Sequence, residues 1–126
     1  MATILVIDDD PQVCDVLEQV LRNEGHLVYS GLNGEEGICL YREHLPELIF
    51  LDILMPEKEG LETILDLRRE FPNVRVIAMS AASEGAKINL LELAQRLGAQ
   101  YRMSKPFQLQ TVIDLVNTAL AANDME

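Results

Sequence analysis

The sequence predicts a doubly wound α/β domain, a five-stranded parallel sheet with helices on both faces in (βα)5 order. Three observations carry that prediction. Short Val-, Ile- and Leu-rich runs alternate strictly with helix-period segments. Two of the runs, residues 4–7 and 48–51, are apolar without interruption, the mark of strands buried on both faces. Both of those runs end in aspartates, Asp8-Asp9-Asp10 after the first and Asp52 after the second.

The elements follow in order. Strands are predicted over 4–7, 27–29, 48–51, 74–79 and 100–103. The first helix follows from Val13, Val16, Leu17, Val20 and Leu21, spaced for one helical face, with Pro11 in its first turn and Gly25 as its stop. The second spans 34–43 and stops before Pro46, and the third spans 61–70 with Pro72 beyond it. The fourth runs over 84–96 and ends at Gly98; on its wheel Leu90, Leu93, Ala94 and Leu97 form the core stripe, with Ile88 and Leu91 off it. The fifth places Val112, Ile113, Val116, Ala119 and Leu120 on one stripe, and residues 121–126 are expected to fray. Residues 31–37 read as a turn and helix start rather than a phosphate-cradling loop. Connections this short leave no room for a linker, and no repeat appears.

Composition narrows the function. A length of 126 residues with 48% hydrophobic content suits one domain with a single sizeable core. A net charge of -11 argues against nucleic acid as a direct partner, since phosphate backbones select Lys and Arg surfaces. Cys14 and Cys39 lack metal-type spacing and fall in apolar helical patterns, so both read as reduced core residues of a cytoplasmic protein. No stretch approaches the roughly 20 apolar residues that span a bilayer, and no signal peptide is visible before the first strand.

Chemistry concentrates at the carboxyl ends of the strands, where a doubly wound sheet binds ligands. Asp8, Asp9, Asp52, Ser80 and Lys105 all fall at or just past those ends. Unpaired buried charge is costly in a core, but at a strand mouth a hard divalent cation such as Mg²⁺ can be met by carboxylates, carbonyls and water. Taken singly, each residue has a plainer role: a strand-end aspartate, a serine helix cap, a solvated lysine in a turn. His26 and His44 are assigned to surface connections with no catalytic part.

Four segments together resemble the response-regulator receiver domain of two-component systems: ILVIDDDP at 4–11, LIFLDILMPEKEG at 48–60, VIAMSA at 76–81 and SKPF at 104–107. The resemblance covers about residues 3–121 and implies the flavodoxin-like receiver architecture. It implies that Asp52 is the phosphoacceptor, with Ser80 as the responding hydroxyl and Lys105 as the cation that pairs with the phosphoryl group. It further implies Mg²⁺ held by Asp9 directly, by Asp8 mainly through water, by Asp52 and by the backbone carbonyl of Leu54. Asp10 matches an often acidic position that is not a main ligand, and the family commonly has a cis bond between the residues matching Lys105 and Pro106. The implied partners are a histidine kinase or histidine phosphotransfer protein, and a downstream protein on the face of helix 4, strand 5 and helix 5. Self-phosphorylation from phosphodonors and slow autodephosphorylation are the only turnover expected.

The chain departs from the family pattern in three places. Arg102 stands where an aromatic switch residue is usual, and strand alternation turns its neighbour Tyr101 to the opposite face. An outward Arg102 is therefore expected to contact a partner. The interval from Ser80 to Lys105 is longer than the pattern by nearly one helical turn, and Ile88 and Leu91, off the core stripe of the fourth helix, read equally as chance exposure or as part of a partner surface. Leu54 is apolar where polar residues often position hydrolytic water, and Ala82 is small, so a long-lived phosphoryl group is expected. Leu54→Asn should speed phosphate loss; an unchanged or slower rate would count against the idea.

Rival functions remain open on the sequence. A haloacid-dehalogenase-type phosphohydrolase would use Asp8 as nucleophile, but Pro11-Gln12 lacks its motif's next residue. A flavodoxin-type carrier would find three carboxylates where it binds phosphate. A phosphorylation-independent pseudo-receiver would usually have lost part of the Asp, Ser and Lys set.

Overall fold

The structure, a computed structural model, describes residues 1–53, 60–80 and 84–122, and of residues 84–90 and 122 it describes only the backbone. Strands and helices alternate as β1(Thr3–Ile7), α1(Pro11–Asn23), β2(Leu27–Gly31), α2(Gly34–His44), β3(Leu48–Asp52), α3(Gly60–Glu70), β4(Val76–Ser80), α4(Glu84–Leu97), β5(Tyr101–Ser104) and α5(Leu109–Ala122). The strands form one parallel sheet in the order β2-β1-β3-β4-β5. Strand order reverses direction between β1 and β3, so the crevice at their carboxyl ends is the switch point of the sheet.

Alternation of side chains divides the core in two. Ile4, Val6, Leu48, Phe50, Ile77 and Met79 point to the layer of α1 and α5. Leu5, Ile7, Ile49, Leu51, Val76 and Ala78 point to the layer of α2, α3 and α4. Both faces of the three central strands are thus dry, as the uninterrupted apolar runs require.

Helix ends follow local chemistry. Asp10 caps α1 by accepting from the Gln12 N–H at 2.9 Å, with Pro11 in the first turn. Asn33 caps α2 through the Glu36 N–H at 2.9 Å. Gly25 and Gly98, after α1 and α4, take positive φ of 90° and 139° that β-carbons disfavour.

Several side chains differ from expectation. The buried stripe of α1 is Cys14, Leu17 and Leu21, while Val16 is 43% exposed, because α1 is rotated to pack against both the sheet and α5. On α4, Leu91 and Ala94 enter the core and Leu93 is 41% exposed. Leu91 is therefore a packing residue and not part of a surface; the side chain of Ile88 lies outside the described residues. Cys14 is buried as expected, but Cys39 is exposed on the outer side of α2. Neither histidine lacks a partner: His26 Nδ1 accepts from the Ala2 N–H at 3.1 Å, and His44, inside α2, stacks on Tyr29 at 3.7 Å.

Candidate functional site

Asp8 follows β1 directly and is completely buried. Its burial is tolerated because its polar atoms are engaged. Its N–H donates to the Gly31 carbonyl at 3.1 Å, and one carboxylate oxygen accepts from the Asp10 N–H at 2.9 Å. The other accepts from Lys105 Nζ at 2.5 Å. Cys14 closes the pocket from behind, its Sγ 3.5 Å from the Asp8 carbonyl. Burial, with the Asp8 and Glu18 charges adding, pushes the Cys14 thiol up to about 11, so it stays protonated and inert.

Asp52, the last residue of β3, is buried, and one of its oxygens lies 3.4 Å from Lys105 Nζ. Asp9 is exposed beside them. Carboxylate oxygens of Asp8, Asp9 and Asp52 lie within 4.8 Å of one another. Asp10 is drawn away by its capping bond.

Lys105 reaches this cluster because its own N–H donates to the Ser80 carbonyl at 2.9 Å, continuing the β4–β5 ladder by one residue. The Lys105–Pro106 peptide is cis. Burial alone pushes the ammonium down, but the Asp8 hydrogen bond and the Asp52 and Asp8 charges outweigh it and hold it above the usual lysine value. It remains a full cation between two buried carboxylates. Ser80, at the end of β4, is wholly buried.

Asp8, Asp9, Asp52 and Lys105, singled out from sequence, thus share one crevice, Ser80 stands buried at the end of the neighbouring strand, and Leu54 lies outside the described residues. Arg102 is exposed on β5 opposite Ala78, and Tyr101 turns to the other face against the α1–α5 core, as alternation predicts. Sequence reasoning missed the close engagement of Asp8 with Lys105 and the part of Gly60. A β-carbon on Gly60 would strike the Ile53 Cα and the Asp52 carbonyl, so only glycine lets α3 start against the end of β3. Beside the crevice lies a cleft of about 430 Å³ lined by Val13, Val16, Pro106 and Phe107, with Asp10 and Lys105 at its polar end.

An acidic crevice at the switch point of a (βα)5 sheet, crossed by Lys105, places the chain among the doubly wound α/β proteins that bind ligands at the carboxyl ends of their strands. The family model of the response regulator receiver domain matches residues 4–117, and the chain belongs to that family. The receiver domain of NtrX from Brucella abortus superposes with a TM-score of 0.87 at 27% identity, over 94% of this chain and 98% of that one. A longer NtrX structure from Brucella abortus, in complex with ADP, superposes with a TM-score of 0.92 at 26% identity over 98% of this chain. This chain spans 28% of that longer chain's length. A CheY-like receiver domain protein from Methanospirillum hungatei shares the fold, with a TM-score of 0.90 at 22% identity over 99% of this chain and 98% of that one. Among the described residues no helix is long and apolar enough to cross a membrane.

Proposed function

We propose that this chain is the phosphoacceptor of a two-component or phosphorelay system, taking a phosphoryl group onto Asp52 from a phosphohistidine of a histidine kinase or phosphotransfer protein. One observation carries the reading: a single ammonium, Lys105, lies within reach of both Asp8 and Asp52 in a cluster of three carboxylates. In the transfer an Asp52 oxygen attacks phosphorus, the O–P bond forms as the N–P bond breaks, and the imidazole leaves neutral, its other nitrogen protonated. Asp8 is a poor rival nucleophile because both its oxygens are already engaged.

The hard oxygen donors of Asp8, Asp9 and Asp52 fit Mg²⁺. Exposed Asp9 would hold the ion directly, and Asp8, held by Lys105, would act through water. When bound there, the ion offsets the repulsion between two approaching anions and the charge on the equatorial oxygens. Lys105 pairs with the transferred group, and Ser80 donates its hydroxyl to it. The added charge and acceptor oxygens then bias the loops carrying those two residues between two arrangements. The apolar cleft of Val13, Val16, Pro106 and Phe107 leads to Lys105 and suits the donor protein's approach. Output uses the face of α4, β5 and α5, and a cytoplasmic location goes with the reading. The acyl phosphate is lost slowly, and no further turnover follows.

Intact-mass analysis after incubation with acetyl phosphate tests the reading. A gain of about 80 Da that needs both Mg²⁺ and Asp52, and so is absent from Asp52→Ala, is the expected result. A gain surviving in Asp52→Ala but lost in Asp8→Ala would transfer the role to Asp8. No adduct at any time point, with rapid sampling, would leave a phosphorylation-independent receiver.

A further inference from the structure

Acidic residues outnumber basic ones, 21 to 10, so every surface cation has carboxylates to choose from. The side chains of eight basic residues are described, all but Lys58 and Lys87. Arg22 pairs with Glu18, Arg42 with Glu70 and Arg69 with Asp66. Lys105 serves the acidic crevice, and Arg75 donates to the Ala119 carbonyl at 3.3 Å. Among the described residues the remaining three, Arg68, Arg96 and Arg102, make no hydrogen bond or ion pair.

Those three lie around the α4–β5 turn. Arg96 is exposed in the last turn of α4. Arg68 packs from α3 against Gly98 in the α4–β5 turn, where a β-carbon would strike its side chain. Arg102 is exposed on β5, the open edge of the sheet. Leu93, one turn before Arg96, is 41% exposed. Acids on the surrounding helices include Glu92, exposed on α4, and Asp114 of α5, which already accepts from Gln110 at 2.9 Å, while Asp66 and Glu70 of α3 pair with Arg69 and Arg42. Arg96 complements the negative end of its helix, and a charged Arg102 discourages strand addition. Lysine would do either job, whereas the planar guanidinium fork matches carboxylates.

We propose that this surface docks an acidic segment of a partner protein, its carboxylates on Arg96, Arg102 and Arg68 and an apolar side chain against Leu93. The proposal rests on the reading of this face as the output surface and names the chemistry of its partner. A second copy of the chain is the wrong occupant. A two-fold pairing would bring six arginines into one interface, with Glu92 and Asp114 of each copy to offset them.

The test uses a fluorescein-labelled amphipathic peptide of Glu and Leu, and a counterpart with Gln in place of Glu, titrated into the full chain. The Glu peptide should bind, weaken as salt is raised and shift amide resonances of α4 and β5. Arg96→Glu/Arg102→Glu should lose affinity at least about tenfold, and Arg22→Glu/Arg42→Glu, with the same change in net charge, should lose much less. The Asp52→Asn protein should bind like wild type, so a failure of phosphorylation leaves this result in place. Equal binding of the Gln peptide, equal losses in the two double variants, shifts elsewhere, or no binding would each overturn the proposal.

Discussion

Lys105 holds together three groups that would otherwise repel. Its ammonium lies 2.5 Å from a fully buried Asp8 oxygen and 3.4 Å from an Asp52 oxygen, so its attraction is spent mainly on Asp8. Asp52 faces two neighbouring carboxylates within 4.8 Å, and the ammonium it contacts is shared with Asp8 at a shorter distance. Repulsion of this kind is worth about 1 kcal/mol net at a partly hydrated strand mouth. Asp52→Asn should accordingly raise the thermal midpoint in metal-free buffer by about 4 °C. Mg²⁺ should stabilise wild type more than the variant, since binding to the folded state alone raises stability by mass action. Differential scanning fluorimetry with and without Mg²⁺ reads both effects. A lower midpoint for the variant would mean that the long Lys105–Asp52 contact outweighs the repulsion.

At the level of elements, the link from β3 to α3 is the least forgiving. The groups a Gly60 β-carbon would strike are backbone atoms of Asp52 and Ile53, which cannot rotate away as a side chain could. Gly60→Ala should cost about 1–3 kcal/mol by overpacking, seen as a lower urea midpoint, and should slow acetyl phosphate labelling because the strand carrying Asp52 moves. An unchanged midpoint would show that α3 can slide. Much of this architecture was legible beforehand, since continuous apolar runs leave few alternatives to a buried parallel sheet. Strand ends were read short because Ser30, Gly31, Asp52 and Ser80 continue the ladder with polar or small residues. Asp52 and Ser80, which the proposed function uses, are of the kind an apolar-run criterion excludes. Helix rotation was less legible. The α4 sequence offers two apolar stripes, through Leu91 or through Leu93, and only packing against β4 and β5 chooses the first. His26 and His44 found partners across long sequence intervals, which no local pattern encodes.

Across the whole molecule the acidic crevice and the start of the sheet lie at opposite poles, and the second pole has a titration of its own. There the Leu27 N–H donates to the Ala2 carbonyl at 2.9 Å, while the Ala2 N–H donates to His26 Nδ1. Only an imidazole unprotonated at Nδ1 can accept that bond. Burial first, and the N-terminal ammonium second, lower the His26 pKa below its usual 6.5. For a base lowered in the folded state, the unfolded chain binds more protons, so stability is fully present above 6.5 and is lost as pH falls through that value toward the folded pKa. A Gln at this position can accept the same hydrogen bond without titrating. Urea midpoints at neutral pH and near pH ~5 should therefore fall further for wild type than for His26→Gln, because carboxylate titrations common to both cancel in the difference. The Ala2–His26 bond lies away from Asp52, so phosphoryl transfer per folded molecule should not differ between the two proteins. Equal acid losses would mean that the Ala2 bond breaks without cost and that acid lability resides in the carboxylates alone.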